Sequence, residues 1–443
     1  MFKKKPGAGM ARYVLIAIAG IALILLFEYL GFFEGINTYF YDTFSRMRGY
    51  RQASDRILIA SIDERSLDAL GRWPLRRVHY ARLLDKLKGS AVVGFDVLMA
   101  EPSDDDVVLA EAIKSHGRVV LPIYIDNELR KVEPVPVLSP NKLGHVHVEQ
   151  GIDSVVREIY HTLYYQGHLL PSLASAMYET FADKPMKRTG LPLRNQTAAP
   201  PKTIFQADPI RINFYGPPGT FRQISLLDII EGRYPENFFR GRIVLVGLTA
   251  PGIVDRVYTP FNQHRNGMPG AELHANMLNN FLDGSHIHVV NGLSRWLFTV
   301  FLSMILFLFF MKMNEKASAV LWVFSLLLFT LLSFSLFSSM NMWLSPAAYY
   351  FSVSLLFLSA YLFRLDDAVR ELDQKYSAVN NLLGWEGEPL EKTSKSGILT
   401  FLSSGGINTK IGGLVSVQQQ YERKLENTVQ QRTHELEKAL SMI

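Results

Sequence analysis

The sequence predicts an α/β domain on a mostly parallel sheet, flanked by four transmembrane helices and followed by a coiled-coil tail. Three observations predict it. Long apolar runs occupy 14–27, then 296–311, 319–337 and 343–363. Between the first run and the other three lies a stretch of mixed composition, 34–294, long enough for a full globular domain. After the last run, apolar residues recur at heptad spacing. The expected layout is an inner N-terminus 1–11, a span 12–33, an outer domain 34–294, and spans 295–312, 319–338 and 342–363. A coiled coil 364–383, a flexible linker 384–413 and a second coiled coil 414–443 complete it.

A bilayer core takes about 20 apolar residues in helical form. The last three runs meet that easily, whereas the first needs its flanks and contains Glu28. Glu28 is expected near the outer end, where a carboxylate reaches the headgroups. Basic residues favour the inner side. Lys3, Lys4, Lys5 and Arg12 precede the first run, Lys312 and Lys316 lie between the second and third, and Arg364 follows the fourth. The turn at 338–342 is uncharged, as an outer turn allows, and Arg295 is the one basic residue on the outer side of a span end. Four crossings with both termini inside follow. A cleaved signal peptide would also have a basic start and apolar centre, but the bulky 27–32 segment offers no small-x-small cleavage site.

Composition narrows the function classes. Apolar residues make up 48% of 443, and the net charge is +5. Much of that excess flanks the apolar runs, so nucleic acid is not an expected partner. There is no cysteine, so no disulfide, Cys-ligated metal or thiol redox centre is possible.

Along the outer domain, 57–62 (ILIASI), 91–98 (AVVGFDVL), 119–125 and 242–248 (RIVLVGL) read as buried strands. Helices are expected at 66–70, 79–87, 105–115, 169–180, 226–231 and 272–282, and a further strand at 210–214. Apolar strands alternating with helices predict a parallel sheet covered on both faces. Residues 126–151 read as loops with short strands and 184–203 as an exposed loop.

Candidate binding residues gather at strand ends, where parallel sheets bind ligands. Asp63 ends the first strand, and Asp96, Glu101 and Asp106 follow the second; Arg77, His79 and Asp255 could join them. Such a set suits a charged or polar ligand, or a divalent cation held through oxygens. The competing reading makes the acids at 104–106 helix caps. The 247–251 segment (GLTAP) offers amides to an anion, or is simply a turn, and Glu272 and His274 could reach the same cleft. His145 with His147, and His286 with His288, alternate as paired ligands would in a strand. Neither pair has a third ligand nearby, so no metal is expected. The 216–220 loop (GPPGT) lacks the Gly-Lys-Ser/Thr of a phosphate loop. No nucleophile with a paired base stands out, and no cofactor is implied.

Several segments together resemble a known family: 59–63 (IASID), 71–74 (GRWP) with Arg77 and His79, and 94–102 (GFDVLMAEP) with Asp105 and Asp106. Further on come 213–216 (NFYG), 241–247 (GRIVLVG), Asp255 with Thr259 and Pro260, and 268–276 (MPGAELHAN). In this order they resemble the bacterial extracytoplasmic CHASE sensor domain of the second type, over about 35–290. Leu75 and Arg76 stand where that family often has a second Trp and a Pro or Ser. The resemblance implies one helix before the domain and three after it. It also implies an outer sensor that detects a small-molecule or envelope signal and relays it to a cytoplasmic kinase or cyclase. No such output domain lies within these residues, so the chain is expected to be the input half of a longer protein or to act through a partner.

The tail carries the relay in this reading. Leu365, Val369, Leu372, Tyr376, Val379 and Leu383 form a first stripe, and Leu414 to Ile443 a second one with a stutter. A parallel homodimer is expected. Two other classes stay open at this stage: an outer enzyme or metal-dependent binding protein using Asp63, Asp96 and Glu101, and a transporter, which the nearly charge-free spans disfavour.

Overall fold

The computed structural model describes residues 8–166, 168–186, 204–253, 256–261 and 267–383, and within the tail 419, 422–423, 426–434 and 438. The elements run α1 (Ala8–Tyr29), α2 (Glu34–Arg48), β1 (Ile57–Ile62), α3 (Glu64–Leu70), α4 (Arg77–Lys86), β2 (Val92–Asp96), α5 (Asp106–His116) and β3 (Val119–Ile125). Then come β4 (Lys131–Val132), β5 (Lys142–His145), β6 (Glu158–Tyr165), β7 (His168–Pro171), α6 (Leu173–Ala182), β8 (Ile204–Arg211), β9 (Arg222–Ser225) and α7 (Leu226–Ile230). The chain continues through β10 (Ile243–Leu248), β11 (Arg256–Val257), β12 (Met268–Pro269), α8 (Gly270–Asp283) and β13 (His288–Val289). It closes with α9 (Gly292–Lys312), α10 (Glu315–Met340), β14 (Met342–Trp343) and α11 (Ala347–Leu383).

The domain is mixed α/β with a mostly parallel sheet. Its strand order is β4-β3-β2-β10-β1-β9, with β5 also on β3, and only β4 is antiparallel. The strands β1, β2, β3 and β10 are apolar almost throughout because both faces are covered. On one face Leu58, Ala60, Val93, Phe95 and Val244 pack under the α4 residues Tyr80, Leu83 and Leu84 and the α5 residues Leu109 and Ile113. On the other, Ile57, Ile59, Val92, Ile243 and Leu245 pack under Leu173 and Met177 of α6 and Leu273, Met277 and Leu278 of α8. Gly94 lets Met177 lie against the sheet, since a Cβ there would stand 2.2 Å from its sulfur.

Two expectations need correction. A helix was expected at 169–180, but His168–Pro171 forms β7, antiparallel to β6, and α6 begins only at Leu173. The run Glu158–Tyr165 is aromatic and β-branched, and its alternation buries Leu163 and Tyr165 against Ile125. The strand expected at 210–214 instead ends at Arg211, and Ile212 to Tyr215 run on as irregular, buried backbone.

Among the described residues, three single helices are long and apolar enough to cross a membrane: Gly292–Lys312, Glu315–Met340 and Ala347–Ala368. A fourth span counts only when Tyr13–Tyr29 and Glu34–Arg48 are taken as one broken pair. Over the span expected at 12–33, α1 is continuous to Tyr29, and the chain turns before α2 where Gly31 takes a left-handed φ of 77°.

Two compact units divide the chain. In the first, residues 1–30, 298–325 and 348–443, Gly20 lets Leu355 approach α1, and Trp322 stacks on Phe357 at 5.1 Å. Arg364 donates to Ser318 Oγ at 2.9 Å. The second unit, 31–297 with 326–347, joins the α/β domain to the end of α10 and the α10–α11 connection. There β14 pairs in parallel with β13, His288 opposite Met342 and Val289 opposite Trp343. Asn341, at φ 52°, accepts from Asn213 Nδ2 at 2.8 Å and its carbonyl accepts from the His288 amide. Tyr41 and Phe44 of α2, Phe337 of α10 and Trp343 close an aromatic box with Ile287. Tyr41 also donates to the Ile212 carbonyl, and Arg157 grips Asp42 through Nε at 2.7 Å and Nη2 at 2.6 Å.

α11 runs unbroken to Leu383, so the first heptad stripe is helical. Leu436 and Leu440 of the second stripe lie outside the described residues.

Candidate functional site

The carboxyl edge of the parallel sheet carries the candidate site. Strand register aligns Ser225, Ser61, Gly247 and Asp96 in one row across β9, β1, β10 and β2. All four face the side covered by α8. The chain leaves β1 and β2 toward the α4 and α5 face, but after β10 it reaches α8 on the other face. In open α/β sheets such a divergence is where ligands bind. Gly247 brings α8 close, because a Cβ there would meet the Ala271 Cβ at 2.5 Å. Gly270 opens α8 toward Asp96, whose Oδ2 would lie 2.7 Å from an added Cβ.

Around this row the polar side chains form an arc. Ser61 Oγ donates to Gln223 Oε1 at 3.3 Å, and Gln223 Nε2 donates to Glu272 at 3.4 Å. Glu272 is fully buried and accepts from the amides of Gly219 at 2.8 Å and Phe221 at 3.3 Å. The 216–220 loop is therefore a carboxylate cradle rather than a phosphate loop. Burial raises the Glu272 carboxyl, and those amides pull it back. Asp96 lies 3.9 Å from His274 Nε2, with its side chain one-fifth exposed and His274 buried. Burial raises the Asp96 carboxyl, and the His274 charge lowers it; burial lowers His274, and Asp96 raises it. An acid and an imidazole so matched can exchange a proton or receive a cationic or hydrogen-bonding group.

The seven residues expected to form one site are divided. Asp63 caps α3, accepting from the Ser66 amide at 2.9 Å and from Ser225 Oγ at 2.9 Å. Asp63 and Asp96 stand two strands apart, about 10 Å. Arg77 lies in the helical layer of the opposite face, where its Nε donates to Asp106 at 3.1 Å and its Nη2 to the Glu101 carbonyl at 3.1 Å. Asp106 also accepts from the Ser103 amide at 2.7 Å, so this pair pins the loop after β2 to α4. His79 sits beside the Leu70 carbonyl, lowered by partial burial and by Arg82 and Arg76. Arg77 and Asp96 belong to opposite faces of the sheet, because α4 covers one and α8 the other. Asp255 lies outside the described residues.

Sequence reasoning missed Ser61, Gln223 and Ser225. They are small or neutral, and only strand register sets them beside Asp96 and Glu272. Of the histidine pairs, β5 ends at His145, which is buried while His147 is partly exposed. The rings of His286 and His288 do meet, with centroids 4.3 Å apart. Among the described residues no three His, Asp or Glu side chains are grouped to hold a metal ion.

The buried histidines make stability depend on pH. Burial holds His145 well below the usual imidazole value, with His147, His274 and His161 adding in the same direction. Burial also lowers His274 and His286. The folded state therefore binds fewer protons than the unfolded chain below about pH 6.5, so stability is full above that value and is lost as pH falls toward the folded pKa values. Asp96 and Glu272, raised in the fold, act oppositely and weaken the domain as pH rises from about 4. His145→Gln removes one histidine from the acid limb. Melting of the full chain measured from pH 7.5 to 5 is expected to lose up to about 1.4 kcal/mol per pH unit of slope in that variant. An unchanged slope would show that His145 does not titrate in this window.

A family model for the CHASE2 domain matches residues 17–328. No curated protein and no solved structure matches the chain. The match covers well over half of the sequence, and the chain belongs to the CHASE2 family, a type of extracytoplasmic sensor domain.

Proposed function

We propose that this chain is a membrane-anchored sensor of the bacterial inner membrane, with the α/β domain outside, four crossings and both termini inside. In this reading a polar or cationic small molecule enters the crevice beside Asp96 and His274. Arg77 and Asp106 hold the loop that borders it, and Asp63 and Glu101 lie at its margins. One observation supports the relay above all. The connection between α10 and α11 is part of the same compact unit as the sensor domain, through β13–β14 pairing and the Asn213–Asn341 hydrogen bond. A change at the sheet edge is carried by α8, whose far end leads into β13, and so reaches β14. The tail then passes it to a kinase or cyclase output, or to a partner protein, in a parallel dimer.

Reporter fusions after residues 200, 314 and 390 test the topology. Outside, inside and inside are expected from the basic flanks. An inside reading at 200 would overturn the proposal.

Pairing of the tail has its own test. In this cysteine-free chain, single cysteines at Leu372 and Leu436 are expected to crosslink between copies in membranes, and one at Asp373 less so. Equal crosslinking at all three would leave the relay without a fixed interface.

A further inference from the structure

Helix α2 presents two unlike faces. At 100° per residue, Asn37, Tyr41, Phe44, Ser45 and Arg48 share one side, and Ile36, Tyr39, Thr43 and Met47 the other. The first side is docked. Tyr41, Asp42, Phe44 and Ser45 are buried, Arg48 donates to the Phe214 carbonyl, and Asn37 accepts from the Ala347 amide at the start of α11. The second side is open: Tyr39 is 66% and Met47 64% exposed, with Ile36 exposed as well. Beyond the two ends of the helix, Phe32 and Tyr50 are exposed at 74% and 75%, Tyr50 with its ring 5.9 Å from that of Phe261. The stripe's own members are uncharged, and Arg46 borders it, donating to Thr43 Oγ1 at 3.3 Å and to the Pro260 carbonyl at 3.0 Å. Single exposed apolar residues are ordinary on soluble surfaces, but a continuous stripe marks an interaction surface.

The depth of this stripe is set by its inner neighbours. Phe44 meets Phe334 at 5.4 Å and Phe337 at 6.0 Å between ring centroids. Both belong to the last turns of α10, the most apolar of the three candidate spans, with a mean hydropathy of 2.3. Phe337 and Phe334 stand about 5 and 9 Å along the axis from the Met340 end, at 1.5 Å per residue. A helix lying in a bilayer interface buries its apolar face by about 5–10 Å, and tyrosines gather at that level.

We propose that α2 is an interfacial helix, with Ile36, Tyr39 and Met47 resting in the outer headgroup and upper acyl region of the lipid bilayer. This rests on the reading that α10 crosses the membrane. Lipid is favoured over a second copy of the chain because, when α10 crosses, the level of its Phe334–Phe337 segment is already that of the outer interface. The inner face of α2 carries the Asp42–Arg157 clasp and the aromatic box. Lipid thickness and packing therefore act on the same helix that holds the sensor domain.

The test uses the full chain, which has no native cysteine. Single cysteines at Tyr39 and Met47 carry an environment-sensitive fluorophore in vesicles of phosphatidylethanolamine and phosphatidylglycerol. Leu328 on α10 serves as the deep control and exposed Lys88 as the aqueous one. Spin-labelled lipids with the quencher near the headgroup are expected to remove about half of the emission at Tyr39 and Met47, with deeper quenchers less effective there. Deep quenchers should act at Leu328 and neither kind at Lys88. Quenching at Leu328 with water-like emission at Tyr39 and Met47 overturns the inference alone. Disulfide formation between copies at Tyr39 under the same conditions, without lipid quenching, assigns the face to a second copy and also overturns it. No quenching at Leu328 overturns the membrane reading itself, and the inference with it.

Discussion

Arg157→Met will lower the stability of the full chain by about 3–5 kcal/mol, the cost of leaving one charge of a buried pair without its counterion. The Arg157 and Asp42 side chains are only 7% and 3% exposed, and their hydrogen bonds join α2 to the strand β6 that follows directly. Burial by itself would lower Arg157, but the hydrogen bonds it donates to Asp153 and Asp42 hold it strongly protonated. Loss of the guanidinium leaves Asp153, which is half exposed, to water, while Asp42 keeps its burial. The double change Asp42→Leu with Arg157→Met removes both charges and should recover most of the loss. Denaturant unfolding in detergent, followed by tryptophan fluorescence, measures both variants. A loss below about 1 kcal/mol for the single change would mean that α2 is not held by this pair.

The second large effect is expected at Trp343. It is 2% exposed, and its ring lies 5.3 Å from Tyr41, 6.0 Å from Phe44 and 6.1 Å from Phe337. Trp343→Ala opens a cavity among three rings from two other elements and should cost about 3–5 kcal/mol. Trp343→Phe keeps an aromatic edge in the box and should cost clearly less. Because Trp343 also pairs with Val289 across β13 and β14, the alanine variant should loosen the α10–α11 connection from the sensor domain. Hydrogen exchange at the Val290 amide, which donates to the Trp343 carbonyl at 3.1 Å, reads that loosening directly. Unchanged protection there in Trp343→Ala would sink the idea that this box couples the two.

Much of the fold was legible because its signals are local. The run ILIASI becomes β1 with its expected bounds, and RIVLVGL becomes β10 with one residue trimmed, since a strand buried on both faces must be apolar throughout. Asp63 was legible as a strand end, but its role as the α3 cap depends on the Ser66 amide three residues on. The β6–β8 sheet was not legible as such. Glu158–Tyr165 and Leu169 onward mix aromatic and aliphatic residues that satisfy either period, and pairing with a distant strand decided between them.

By itself the sequence determined the division into apolar spans and an α/β domain, the identity of the buried strands and the family, because each rests on composition, period or an ordered set of motifs along the chain. Only the tertiary structure decided which polar residues meet. Asp96 faces His274 rather than Arg77 because alternation along β2 sends it to the α8 side while α4 covers the other. Glu272 is cradled by the Gly219 and Phe221 amides, although about 50 residues lie between them. The turn after α10 reads in sequence as an uncharged connection, yet it is a strand of the sensor unit, joined to residues that precede it by more than 50 positions. Contacts of that kind depend on strand register and on which face a helix covers, and no local pattern in the chain encodes either.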